Sequence, residues 1–164
     1  LRLLLLQPGA PFDPIKCDLV PCQLNDVQHT YDATSYTWGS PEDPPQVECN
    51  GLTMKVQRNA FDMLTDLRLC DRPRTVWIDA ICINQSDVQE RSQQVRMMHQ
   101  VYERAKCVVV WLGRPDEDSR LAMRYAGGLN PASHIEELGD ILAKKLAAAM
   151  VSLINRPWFN RVWV

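Results

Sequence analysis

Up to Leu112 the chain alternates short apolar runs with polar turns, and two stretches take helical spacing instead. Leu1-Arg-Leu-Leu-Leu-Leu followed by Pro8-Gly9 predicts a strand over 1–6 that ends in a turn. Residues 15–24 read as a second extended stretch, with Pro21 marking an edge or bulge position. Residues 31–38 predict a strand closed by Gly39, and 40–45 form a Pro-rich loop. Asn50-Gly51 between Val47-Glu-Cys and Leu52-Thr-Met-Lys-Val predicts a two-residue β-hairpin. Ala60, Phe61, Leu64 and Leu67 share one helical face, and Asn59 stands where it can cap a helix running to about residue 69. Residues 76–83 are apolar except for Asp79, as expected of a strand covered on both faces. After the polar loop 84–87, Val88, Val95, Met98, Val101, Tyr102 and Ala105 form a stripe that predicts a helix over 87–105. Residues 107–112 predict another buried strand, closed by Gly113-Arg-Pro. Two further helical patterns, 116–129 and 135–154, are separated by Gly127-Gly128 and Asn130-Pro131. Pro157 stops the last helix, and 159–164 starts a strand or a docked helix.

Buried strands linked by helices, with one hairpin, argue an α/β fold. The expected core is an open, mostly parallel sheet flanked by helices, with antiparallel decoration near the N-terminus. Strands 31–38, 76–83 and 107–112 should lie together, with helix 87–105 packed on one face. A length of 164 residues with 46% hydrophobic content fits one domain spanning 1–164. The net charge of −2 gives no general attraction to nucleic acid or to an anionic membrane. No run approaches a membrane span, and the apolar start is too short for a signal-peptide core. The six cysteines include no Cys-x-x-Cys pair, which favours a reduced, cytoplasmic setting with Cys82 and Cys107 buried in strands. His29, His99 and His134 are scattered, so no metal site is expected. There is also no Gly-rich phosphate loop, no Ser-His-Asp arrangement and no His-Glu-x-x-His, and no resident cofactor is expected.

Some residues carry chemistry that a core does not require. Asp79 shares a strand face with Trp77, Ile81 and Ile83, where an unpartnered carboxylate is costly. It must meet a cation or several donors, either as a ligand anchor at the cleft end of a sheet or as a structural acid. Asp87-x-x-Glu90 has the form of a reciprocal helix cap, which accounts for Glu90 without catalysis. The same helix start, following Asn84, would also favour an anionic group. Trp38, at a strand end beside Tyr36 and Gly39, either packs or walls a pocket for a planar base. Arg156 and Arg161, set among Trp158, Phe159 and Trp163, form either a cation–π clasp or a surface that grips phosphates. Asp79, Asn84 and the Tyr36–Gly39 turn are expected to border one cleft.

The spelling of these segments is distinctive. Trp77-Ile-Asp-Ala-Ile-Cys-Ile-Asn-Gln with Glu90-Arg91 resembles the core signature of the HET (heterokaryon incompatibility) domain family. Tyr31-Asp-Ala-Thr-Ser-Tyr-Thr-Trp-Gly is similar to that family's first motif, with Thr34 and Thr37 as mild departures. Val108-Val-Val-Trp-Leu-Gly and Arg156-Pro-Trp-Phe-Asn-Arg-Val-Trp-Val resemble its later strand and closing motif. The resemblance implies an intracellular cell-death effector of fungal self/non-self recognition. HET domains are distantly similar to TIR domains, which share a flavodoxin-like sheet and either self-associate or cleave NAD with a glutamate. By that likeness loop 84–87 would serve assembly, and the family's closing Gln-Glu would fall after Val164, making 1–164 a single HET domain cut short at its C-terminal end. Asp79 and Glu90 are then the candidate catalytic acids within the chain. Tyr36, Trp38, Gly39, Asn84, Arg156 and Arg161 are candidate ligand contacts, and NAD is the implied substrate. The implied partners are a second copy, or an NLR-type or other incompatibility protein. A non-enzymatic assembly or partner-binding module stands as the alternative.

Overall fold

A computed structural model describes residues 1–127 and 140–161. It divides into two compact units, Leu1–Trp111 and Leu112–Val164. The first holds strands β1 (Arg2–Leu6), β2 (Lys16–Pro21), β3 (Asp32–Ser35), β4 (Gln46–Cys49), β5 (Leu52–Lys55), β6 (Arg74–Trp77) and β7 (Cys107–Val110). Helices α1 (Arg58–Leu67), α2 (Asp79–Cys82) and α3 (Val88–Glu103) complete that unit.

The strands form one mixed sheet in the order β5-β4-β2-β1-β6-β3-β7. β3 pairs in parallel with both β6 and β7, so the three strands expected to be neighbours are neighbours. β1 is antiparallel to both β2 and β6, and the β4–β5 hairpin joins the far side through a parallel β2–β4 pairing. The α/β class holds, and the parallel pairing is concentrated in β6-β3-β7 and β2-β4. At the hairpin turn Asn50 and Gly51 both have positive φ, 51° and 75°, the backbone that a two-residue turn of matching twist requires.

β1 and β6 lie in the sheet interior, where Leu4, Val76, Trp77 and Ile78 are fully buried. Each such side chain removes enough apolar surface from water to contribute about 1.5–3 kcal/mol before entropy is counted. Three hydroxyl groups in this layer are bonded across elements. Tyr31 Oη donates to the Val101 carbonyl at 2.6 Å, Thr34 Oγ1 to that of Trp77 at 2.9 Å, and Tyr102 Oη to that of Thr34 at 3.1 Å. Trp77 meets Tyr102 edge-on, with centroids 5.7 Å apart, so the C-terminal half of α3 packs on the sheet.

Several expectations are corrected. The strand predicted over 76–83 ends at Trp77, and Asp79–Cys82 is one helical turn. The Ile78 carbonyl accepts from both Ile81 N and Cys82 N, and Ile81 to Ile83 stay buried in the turn as they would in a strand. β7 is an edge strand rather than a buried one; Val108 is 46% and Val110 41% exposed, and Cys107 is exposed too. Val88 and Val95, expected in the α3 core stripe, are exposed, and burial begins only towards Val101 and Ala105. Asn59 lies inside α1, whose cap position is Gln57 and carries no side-chain cap bond.

The second unit contains α4 (Glu117–Gly127), α5 (Asp140–Ile154) and a 3-10 turn, Pro157–Asn160. Ala122 packs against Ala149 and Leu153. Asp116 and Ser119 cap α4 reciprocally: Ser119 N donates to Asp116 Oδ1 at 2.7 Å, and Asp116 N to Ser119 Oγ at 2.9 Å. The separator 128–131, the first residues of the helix expected over 135–154, and the closing residues 162–164 lie outside the described residues.

Candidate functional site

Parallel pairing of β3, β6 and β7 brings their C-terminal ends to one edge, where open α/β sheets bind ligands. β3 delivers the turn through Tyr36 and Trp38, and β6 delivers Ile78 and Asp79. The two segments meet there: Trp38 Nε1 donates to Asp79 Oδ2 at 3.0 Å. Asp79 Oδ1 accepts from Ala80 N at 2.8 Å, which starts the helical turn of α2. Gln85 Nε2 donates to the Asp79 carbonyl at 2.8 Å, folding loop 84–87 over the same residue. Trp38 is 38% exposed while its indole N–H holds the carboxylate.

The expected Asp79–Trp38 neighbourhood is therefore present, but Tyr36 is only 1% exposed and packs in the core. Asn84 is exposed, and its Oδ1 accepts from Ser86 N and Oγ, tightening the loop. Glu90 does not bond back to the Asp87 amide as a reciprocal cap would. Asp87 caps α3 alone, accepting from Gln89 N at 2.9 Å and Glu90 N at 3.1 Å. Glu90 Oε1 instead accepts from Asn84 N at 2.9 Å and pairs with the Arg2 guanidinium. Arg2 Nε in turn donates to the Cys82 carbonyl at 2.9 Å. Arg2 belongs to this edge because β1 runs antiparallel to β6, which sets its first residues beside the end of β6. Its position depends on a long-range strand pairing that no local pattern announces. Burial pushes the Cys82 thiol up to about 12, so it is a packed protonated thiol rather than a nucleophile, and its sulfur accepts from Ile78 N.

Asn59 is a second residue that sequence reasoning misassigned. Its Nδ2 donates to the Thr37 carbonyl at 2.8 Å, inside the turn that carries Trp38. Gly39 follows with φ 81°, and a Cβ there would stand 2.8 Å from Asn59 Cγ. Only glycine fits that backbone against that neighbour.

Arg156 and Arg161 belong to the second unit. The Arg156 side chain is 12% exposed; Nη1 donates to the carbonyls of Leu112 at 3.0 Å and Arg114 at 3.1 Å, and Nη2 pairs with Asp116 at 2.6 Å. This is a clasp made on carbonyls and a carboxylate. The Ser119 amide and hydroxyl, with Arg156 adding to them, hold the Asp116 carboxyl below its ordinary value. Arg161 N donates to the Trp158 carbonyl, and Trp158 meets Phe159 edge-on at 5.2 Å. Among the described residues no group of three or more potential metal ligands is assembled, and no helix is long and apolar enough to cross a membrane.

The family model described as heterokaryon incompatibility protein (HET) matches residues 31–164. Heterokaryon incompatibility protein 6, OR allele, of Neurospora crassa is 33% identical over 154 residues, a match covering 85% of this chain. The chain spans 22% of that relative's length. No solved structure matches.

Proposed function

This chain belongs to the heterokaryon incompatibility protein (HET) family, and we propose that it serves fungal self/non-self recognition as an intracellular cell-death effector domain. The observation that carries a site for this activity is the Trp38–Asp79 hydrogen bond at the carboxyl edge of the parallel strands. A partly exposed indole suits a planar base, and a carboxylate beside it suits a developing positive charge.

The finer reading is cleavage of the nicotinamide–ribose bond of NAD or a related nucleotide. Water adds at the ribose C1′, the bond to nicotinamide breaks with its electron pair leaving on the base, and a carboxylate takes the water proton. Asp79 is our candidate for charge stabilisation, beside the Trp38 indole, while Glu90 pairs with Arg2 and accepts from the Asn84 amide. Likeness to TIR domains puts a further glutamate after Val164. We expect the 164-residue chain to bind nucleotide weakly and turn over little, and a chain extended past Val164 to cleave NAD.

One observation favours a second reading, an assembly or partner-binding module. Val88 and Val95 stand exposed on the half of α3 that follows loop 84–87. Expressing the extended domain in fungal cells while following viability and NAD together separates the two. Killing with NAD loss supports cleavage; killing with NAD and its analogues intact supports assembly; an extended, folded domain that never kills contradicts the effector role.

A further inference from the structure

We propose that Asn59 is a positioning residue that sets the Trp38 indole against Asp79, a role beyond the site residues themselves and resting on the reading of that edge as the working site. Three observations meet at this side chain. Asn59 Nδ2 donates to the Thr37 carbonyl at 2.8 Å, fixing the peptide immediately before Trp38. The same nitrogen lies 3.4 Å from Thr37 Oγ1, so one amide group spans the carbonyl and the hydroxyl of Thr37. On the other side of Trp38, Gly39 takes φ 81° and passes so close to Asn59 that a Cβ would sit 2.8 Å from its Nδ2 and Cγ. The residues flanking the indole are thus both registered on one side chain, which stands on the first turn of α1.

The local physics explains why an amide is needed there. A turn leaving β3 at a sheet edge has peptide groups without ladder partners, and a carbonyl left unpartnered while half-buried is costly. Asn59 supplies the donor, and the bare glycine lets the chain pass close above it. An aspartate has the same shape but, when ionised, only acceptors, so it would face the Thr37 carbonyl with repulsion. The indole direction follows from the peptide on either side, and a tilt of the Thr37 peptide carries Nε1 off Asp79.

The test follows the Trp38 indole N–H by nitrogen-15 NMR, its signal assigned by its disappearance in Trp38→Phe. Asp79→Ala gives the reference position for an indole that has lost its acceptor. In Asn59→Asp and Asn59→Ala the Trp38 signal should move towards that reference. Its exchange with solvent should quicken roughly threefold to tenfold, the factor that loss of one hydrogen bond of ordinary net strength gives. The indole signals of Trp77 and Trp111 should keep their positions, which shows that the fold persists and that the effect is local. Gly39→Ala is the second variant and should displace the same signal from the other side of the turn. A Trp38 signal that stays in place in folded Asn59→Asp overturns the positioning role, whatever happens to killing. A signal that moves while cell killing by the extended domain is unchanged leaves the positioning role standing and removes the functional reading of the edge.

Discussion

Two arginines in the two units use the same device for different ends. Arg2 in the sheet unit bonds one backbone carbonyl and the carboxylate of Glu90, and Arg156 in the helical unit bonds two carbonyls and the carboxylate of Asp116. Around Arg156 each member closes local structure: a cap on α4, the chain before it and the chain after α5. Around Arg2 the same bonds fold loop 84–87 back on the sheet edge, through the Asn84 amide on Glu90. An acid held by a guanidinium and a backbone amide is occupied by structure in both places. Asp79 accepts from the N–H of a partly exposed indole and from the amide that starts its own helical turn. Glu90 and Arg156 are thus tied into structure, and the proposed working site at the sheet edge rests on Asp79 beside the Trp38 indole.

Removing the clasps should cost more stability than removing the Asp79 charge. The largest effect is expected at Arg156: Arg156→Ala should destabilise the helical unit by about 2–3 kcal/mol, because two carbonyls and a carboxylate lose a partly buried charged donor. Urea unfolding followed by Trp158 fluorescence would register it, and a loss below about 0.5 kcal/mol would show that water replaces the guanidinium at no cost. Glu90→Ala should cost less, about 1–2 kcal/mol, since the pair is partly solvated and one loop amide is stranded. A double-mutant cycle with Arg2→Ala should return a coupling of about 0.5–1 kcal/mol; zero coupling would break the likeness between the two clasps.

The third effect is smaller and depends on pH. Asp116 has its folded pKa lowered from 3.8, so the bonds to Ser119 and Arg156 favour its charged form. The resulting stabilisation is present above 3.8 and fades as pH falls through the lowered folded value. Comparing wild type with Asp116→Asn by thermal melts at pH 6 and pH 3 should show the difference shrinking in acid. A gap that widens in acid would reverse the sign of the coupling. Smallest of all, Asp79→Asn should cost about 1 kcal/mol, because Trp38 Nε1 and Ala80 N donate to different carboxylate oxygens and the single amide oxygen of asparagine keeps one of the two bonds.

The elements written in local chemistry were legible in the sequence. Asn50-Gly51 demanded a hairpin, and Asp87 before an amphipathic run demanded a cap, because both depend on residues adjacent in the chain. The neighbourhood of β3, β6 and β7 was legible from their apolar runs and the helix between the last two. What misled was periodicity where burial is uniform: Ile81, Cys82 and Ile83 are buried in a helical turn as they would be in a strand, so the pattern could not locate the end of β6. The run at 107–112 read as interior, since an apolar sequence does not say whether a neighbouring strand covers its second edge. Asn59 offered a plausible cap and serves the Thr37 carbonyl instead, 22 residues away. Of the site, Asp79 and Trp38 were legible as candidates, whereas Arg2 entered only through the antiparallel pairing of β1.

The most direct test of the account compares killing with folding in a single variant. The extended domain carrying Asp79→Asn should stay folded, less stable by about the 1 kcal/mol of one hydrogen bond, and keep the edge-on Trp77–Tyr102 packing, yet lose at least about tenfold of its cell killing, the effect of removing one electrostatic partner from a reacting centre. Undiminished killing by folded Asp79→Asn would contradict the central claim that this carboxylate, rather than Glu90 or Arg156, carries the function of the sheet edge.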